Sequence, residues 1–129
     1  MATDIRRTRG ALGEEIAARH LARRGYQLVD RNYRTRFGEI DLVAADDRCL
    51  VFCEVKTRVA HGRAGPARGL DAIGARKRRR VRAMAGQWLH DRSTRDRTPR
   101  RPGLRFDAIG VTLSPAGELL SLEHVRDAF

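Results

Sequence analysis

Asp41, Glu54 and Lys56 are the residues of this chain best placed to do chemistry, and all three fall in the stretch 38–58, GEIDLVAADDRCLVFCEVKTR. Residues 39–45 and 50–57 are apolar, β-branched runs separated by Asp46, Asp47, Arg48 and Cys49, the pattern of a hairpin. A two-residue turn at Asp47 and Arg48, or a four-residue loop from Asp46 to Cys49, gives the same register. In it Asp41 faces Glu54, Glu39 faces Lys56, Val43 faces Phe52 and Ala45 faces Leu50, all on one side of the sheet because side chains alternate. The other side carries Ile40 with Val55, Leu42 with Cys53 and Ala44 with Val51, an uncharged layer suited to burial.

The first side is apolar toward the turn and ionisable at its far end, where Glu39, Asp41, Glu54 and Lys56 converge. Two carboxylates ~4 Å apart repel by roughly 4 kcal/mol at an effective dielectric near 20, so something must offset that cost. One arrangement is a cross-strand ion-pair network in which Lys56 pairs with Glu39 and shields Glu54. The other is a divalent cation on Asp41 and Glu54, since hard Mg²⁺ prefers oxygen ligands. Spacing alone leaves both open.

The elements around this stretch follow from periodicity and punctuation. The 129 residues suit one domain, taken as 11–129 behind a flexible leader, 1–10. A helix is predicted over 11–24, capped by Gly25, with Glu14, Ala17, Ala18 and Leu21 on one stripe. Glu14 is the misfit there: if the stripe packs on the sheet, its carboxylate is carried inward and needs a cation or donors. In the helix's first turn it would also suit the dipole. A strand is expected over 26–33, a basic glycine-rich loop over 58–69, and a second helix over 71–91. That helix has Ile73, Lys77, Val81, Met84, Ala85, Trp88 and Leu89 at helical spacing. A flexible loop over 93–103 and strands over 105–113 and 118–124 complete the reading, with a short tail over 125–129. Asp107 is either a further acid of the site or, the better fit, a hydrogen-bonded structural aspartate.

No apolar run is long enough to span a membrane and the first residues lack a signal peptide's apolar stretch, so a cytoplasmic protein is expected. Cys49 and Cys53 on one strand would lie ~13 Å apart, too far for a disulfide. The four histidines show no metal-ligand spacing.

The net charge is +11, and its excess is local: residues 76–105 hold twelve basic residues against two acidic. Arg76, Lys77, Arg78, Arg79, Arg80 and Arg82 form its densest part. Such an arginine surface is the footprint of a polyanion, nucleic acid before anionic membrane, with arginine suited to bidentate phosphate contacts.

The linked motifs Gly13-Glu14, Gly38-Glu39-Ile40-Asp41, Phe52-Cys53-Glu54-Val55-Lys56-Thr57-Arg58, Lys77 in a basic helix and Arg105-Phe106-Asp107 resemble the bacterial YraN family over nearly the whole chain. That family is similar to the restriction-endonuclease-like superfamily, including archaeal Holliday-junction resolvases. The resemblance implies an α/β fold with a mixed β-sheet flanked by helices. It implies Glu14, Asp41 and Glu54 as ligands of Mg²⁺ or Mn²⁺, Lys56 as the catalytic lysine, and Arg58 with the basic helix as the grip on DNA or structured nucleic acid. A symmetric homodimer is expected by the same analogy. The alternative is a non-catalytic nucleic-acid-binding module that uses the same basic surface. Ile40 stands where the superfamily often has proline, and Cys53 where relatives commonly have valine.

Overall fold

Gly25 decides where the first helix ends. Its φ of 89° is the left-handed conformation that glycine adopts without strain. The Gly25 N–H then reaches the Ala22 carbonyl at 3.1 Å and the Tyr26 N–H the Leu21 carbonyl at 3.0 Å. These two bonds form a Schellman motif, with Tyr26 and Leu21 buried together behind it.

The computed structural model describes residues 2–60, 75–95 and 103–129, with side chains for 7–60, 76–92 and 103–129. The elements are α1 (Ala2–Arg23), β1 (Gln27–Thr35), β2 (Gly38–Ala45), β3 (Cys49–Val59), α2 (Ala75–Arg95), β4 (Gly103–Leu113) and β5 (Leu119–Val125). The strands form one sheet in the order β1-β2-β3-β4-β5. Neighbours are antiparallel except β3 and β4, whose parallel pairing demands a crossover, and α2 lies in that connection. The result is an α/β fold, a mixed five-stranded sheet with two helices, consistent with the restriction-endonuclease-like arrangement.

The predicted hairpin register holds, with Leu42 opposite Cys53, Val43 opposite Phe52, Ala44 opposite Val51 and Ala45 opposite Leu50. Alternation sends Leu42, Ala44, Val51 and Cys53 under α1 with Ala17, Ala18 and Leu21. Val43, Ala45, Leu50 and Phe52 go under α2 with Val81, Met84, Ala85 and Trp88. Phe52 meets Trp88 edge-on at 5.6 Å and stacks on Phe106 at 5.6 Å. Such aromatic pairs add about 0.5–1.5 kcal/mol beyond burial. The Trp88 indole N–H is satisfied by Asp30 Oδ2 at 2.9 Å.

Several boundaries differ from expectation. α1 starts at Ala2 instead of near residue 11, so the tract read as a flexible leader is wound as helix; its arginines are good helix formers. α2 continues to Arg95, into the tract read as a loop, because its end docks on β1. Arg92 Nη2 donates to the Val29 carbonyl at 3.0 Å, and the Tyr33 hydroxyl donates to Asp91. Finally, the last residues are not a free tail: the Ala128 N–H bonds the Phe106 carbonyl at 2.7 Å and Phe129 is buried. β3 runs on through Val59, into the loop expected over 58–69; residues 61–69 of that loop, the expected start of the second helix at 71–74 and residues 96–102 of the loop expected over 93–103 lie outside the described residues. Among the described residues no helix is long and apolar enough to cross a membrane.

Asp107, on β4, is fully buried and has the structural role expected of it. Arg105 donates to both of its oxygens at 2.9 Å, His124 Nε2 lies 2.8 Å from Oδ2, and the Asp127 N–H donates to Oδ1 at 3.0 Å. Burial works to raise its pKa, but the bonds from His124, Arg105 and Asp127 outweigh it and hold the carboxyl below its ordinary value. Stabilisation from a depressed carboxylate is present above its unfolded pKa and is lost as pH falls through the folded one. Asp107→Ala takes from Arg105 both carboxylate bonds, leaving it only the Tyr26 hydroxyl and Asp46 at 3.9 Å, and should cost about 3–5 kcal/mol at neutral pH in urea unfolding. The gap to the parent should narrow as the pH is taken below about 4.

Candidate metal centre and its approaches

At the end of the sheet away from the β2–β3 turn, β2 parts from β3. The ladder between them stops at Leu42 and Cys53, while β2 stays paired to β1 through Ile40 with Tyr33 and Glu39 with Arg34. Beyond that point the Val55 N–H is taken at 2.7 Å by the Asp41 carboxylate, which stands in for β2 backbone. Alternation is broken here. Ile40, expected beside Leu42 and Ala44, packs under α2 with Val43. Asp41 instead gathers with Glu39 and with Glu14 of α1, one carboxylate oxygen of each lying within 4.8 Å of the other two.

Glu14 reaches this cluster because α1 lies unusually close to β3. A Cβ on Gly13 would fall 1.8 Å from Thr57 Oγ1, so only glycine permits the approach. Asn32, with a φ of 52° inside β1, completes the group. Two carboxylates can only accept, so its amide nitrogen faces them, donating to Glu39 Oε1 at 2.6 Å and to Glu14 Oε2 at 3.0 Å. Glu39 also has Arg34 at 3.7 Å, a largely exposed pair worth little.

The acids are held against their own repulsion. Burial, reinforced by Glu39, raises the Glu14 pKa despite the Asn32 bond. Asp41 is pushed up to about 7, chiefly by burial and then by Glu14, Glu39 and Glu54, although the Val55 amide pulls the other way. Burial likewise pushes the Cys53 thiol up, and both cysteines are free.

The sequence-derived residues divide between the two faces. Glu14 and Asp41 come together, with Glu39 as the third acid where Glu54 was expected. Glu54 turns toward α2, where its Oε1 pairs with Lys77 Nζ at 2.7 Å, which brings Lys77 to the charged end of the sheet. Lys56 is exposed on β3 and, among the described residues, makes no ion pair with Glu39. Arg58 lines a cleft with Arg9, Gly10, Glu14 and Thr57 on the α1 side. Arg76, Arg78, Arg79 and Arg80 are exposed along α2, whereas Arg82 is drawn to the Phe129 carbonyl at 3.1 Å and over the Phe106 ring. A second cleft, of about 260 Å³, opens between the β1–β2 turn and α2 and shares Glu39 and Glu54 with the charged end.

Asn32 was missed as part of the site. Its one signal in the sequence is that asparagine tolerates the left-handed conformation, and it interrupts an otherwise ordinary strand. Glu39 is visible in the sequence as a neighbour of Asp41, and pairing with Lys56 is only one of the two arrangements that spacing leaves open.

The donor set suits a hard divalent cation: oxygen ligands only, converging side chains, and a charge excess that a cation would neutralise.

The model of uncharacterised protein family UPF0102 matches residues 13–111. The UPF0102 protein of Rhodococcus jostii is 44% identical over 120 residues, covering 93% of this chain and 94% of its own. That of Frankia alni is 45% identical over 121 residues, 93% of this chain and 92% of its own. That of Clavibacter michiganensis is 45% identical over 119 residues, 92% and 93% of the respective chains.

Two outcomes test this geometry. Between its ordinary 3.8 and about 7, the folded state holds a proton on Asp41 that the unfolded chain has lost. Stability therefore falls as pH rises through that window, and the penalty is complete above it. Asp41→Asn keeps an oxygen for the Val55 amide and removes the charge. In chelator near pH 8 it should be more stable than the parent by on the order of 2 kcal/mol, with the difference gone near pH 4 in thermal or urea unfolding. Gly13→Ala should destabilise by about 1–3 kcal/mol despite alanine's better helix propensity, because α1 must move off Thr57.

Proposed function

The chain belongs to the UPF0102 family, and from that premise and its acidic cluster we propose that it is a metal-dependent nuclease hydrolysing phosphodiester bonds in DNA or structured nucleic acid. The observation that carries the reading is the convergence of Glu14, Glu39 and Asp41 in a chain of net charge +11. Asp41 and Glu14 are gathered against burial and all three acids against mutual repulsion, a cost that a bound cation would offset.

Glu14, Glu39 and Asp41 would hold Mg²⁺ or Mn²⁺. The chemistry such a cation supplies is Lewis-acid polarisation of a phosphate oxygen and a more acidic water. The protein's own residues do the rest. Asn32 orients Glu14 and Glu39 by donating to both, and the Val55 amide fixes Asp41. Lys56, next but one to Glu54 on β3, lends positive charge to the phosphate as negative charge develops on it. Arg58 holds the flanking backbone on the α1 side, and Arg76, Arg78, Arg79 and Arg80 hold it along α2.

A second reading, a nucleic-acid-binding module without catalysis, is favoured by one observation. Glu54 is neutralised by Lys77 at 2.7 Å, the arrangement of a structural ion pair. For Glu54 to serve as a ligand, that pair must open.

Calorimetry and cleavage assays separate the two. The parent should bind Mn²⁺ and Asp41→Asn should not. Lys56→Ala should keep Mn²⁺ and DNA binding while cleavage falls by about 10²-fold or more. A protein that binds DNA but takes up no Mn²⁺ is the binding module. In either case log affinity for DNA should fall linearly with log salt, with a slope of about −0.9 per phosphate contact on duplex. A flat response would remove nucleic acid as the partner.

A further inference from the structure

The cleft between the β1–β2 turn and α2 is not explained by phosphodiester hydrolysis alone. We propose that it seats one unpaired nucleobase beside the acidic cluster, so that the substrate class is nucleic acid with unstacked nucleotides at the point of attack. The inference rests on the nuclease reading for its polyanion partner and adds to it what the site recognises.

Four observations lead there. The first is the floor, made by Ile40, Val81 and Met84, which is apolar although the surface around it is among the most basic of the chain. Phosphate alone would need no such floor. The second is size: about 260 Å³, just below the ~300–1,000 Å³ of pockets that take drug-sized ligands, is room enough for one nucleobase.

The third is Phe37 at the cleft, 40% exposed on a two-residue turn. Exposing so large an apolar ring is not required by the turn. Gly38, with a φ of 135°, supplies the unusual backbone, and Thr35 braces the loop by accepting the Phe37 N–H and donating to the Gly38 carbonyl, both at 3.0 Å. The turn thus braces the backbone that carries the ring. Arg36 lies over it with its guanidinium carbon 4.8 Å from the ring centroid. An exposed aromatic on a braced turn, with an arginine over it, is the kind of platform on which proteins stack single-stranded bases.

The fourth is the rim. Arg80 is exposed there and provides a cation for a phosphate beside a seated base, while Lys77 at the same rim is paired with Glu54. Glu39 belongs both to this cleft and to the acidic cluster, so a base held here brings its own backbone to the acids. Continuous duplex offers no free ring face. Extracting a base from it costs a few kcal/mol, least where the nucleotide is already unpaired, so a cleft of this kind favours single strands, flaps, overhangs or junction centres.

The test uses fluorescence anisotropy in chelator, with one labelled oligonucleotide presented single-stranded and as a blunt duplex. The parent should prefer the single strand. Phe37→Ala should weaken single-strand binding by about five- to a hundredfold and leave duplex binding within about twofold. Phe37→Trp should restore the preference, and unchanged thermal melting would show that both variants fold. Equal loss on the two probes, or none on either, would overturn the inference while leaving the nuclease reading standing. A parent that binds neither probe would sink both. A Phe37 effect of the expected size in a protein that never cleaves would uphold the base site and sink the nuclease reading alone.

Discussion

The bond between the Val55 amide and the Asp41 carboxylate is the constraint from which the charged end of the molecule follows. An antiparallel ladder normally satisfies its amides with backbone carbonyls, and a strand that leaves the ladder must find another acceptor or abandon a polar group. Asp41 fills that need at 2.7 Å. Because a side chain does the backbone's work, β2 is free to follow β1 instead of β3 over its first residues. Glu39 and Asp41 then turn together toward α1, and Ile40 drops to the other side to close the core under α2. One hydrogen bond therefore couples the shape of the sheet to the position of its acids.

The acidic cluster and the Asp107 cluster show two solutions to the same electrostatic problem. Asp107 is buried completely, and donors from Arg105, His124 and the Asp127 backbone keep it ionised. Asp41 has one amide, acidic neighbours and a pKa lifted to about 7. The first arrangement is saturated internally, as buried polar groups generally are. The second is short of donors where several acids meet, and a group left wanting in that way is the usual mark of a site kept for a ligand.

Much of this was legible in the sequence, and the failures have a common origin. Strand alternation gave the hairpin register from Leu42 to Cys53, because a ladder intact on one edge leaves no freedom of phase. Helical spacing identified Ala17, Ala18 and Leu21, and Val81, Met84 and Trp88, as core. Gly25 ended α1 as expected, for the conformational reason that makes glycine common there. Alternation failed at Ile40, since it assumes that the ladder continues. Departure from the ladder is a tertiary event, decided by Asp41 meeting Val55 and by α1 meeting β3 at Gly13 and Thr57. Asn32 was illegible for the same reason: its role depends on Glu14, which is remote in sequence.

The parallel seam between β3 and β4 bears on the order in which the molecule assembles. β1, β2 and β3 form a meander whose pairings join near neighbours in the chain, and β4 and β5 form a hairpin of their own. The two are stitched along residues 49–59 and 103–113, pairs separated by 54 positions. Closing so long a loop carries an entropic penalty that short-range pairings avoid, which makes the seam the natural late step of folding. Glu14, Asn32, Glu39, Asp41 and Lys56 all lie on the meander side, while the arginine helix sits within the loop to be closed. The acids can thus find one another in a partly formed molecule.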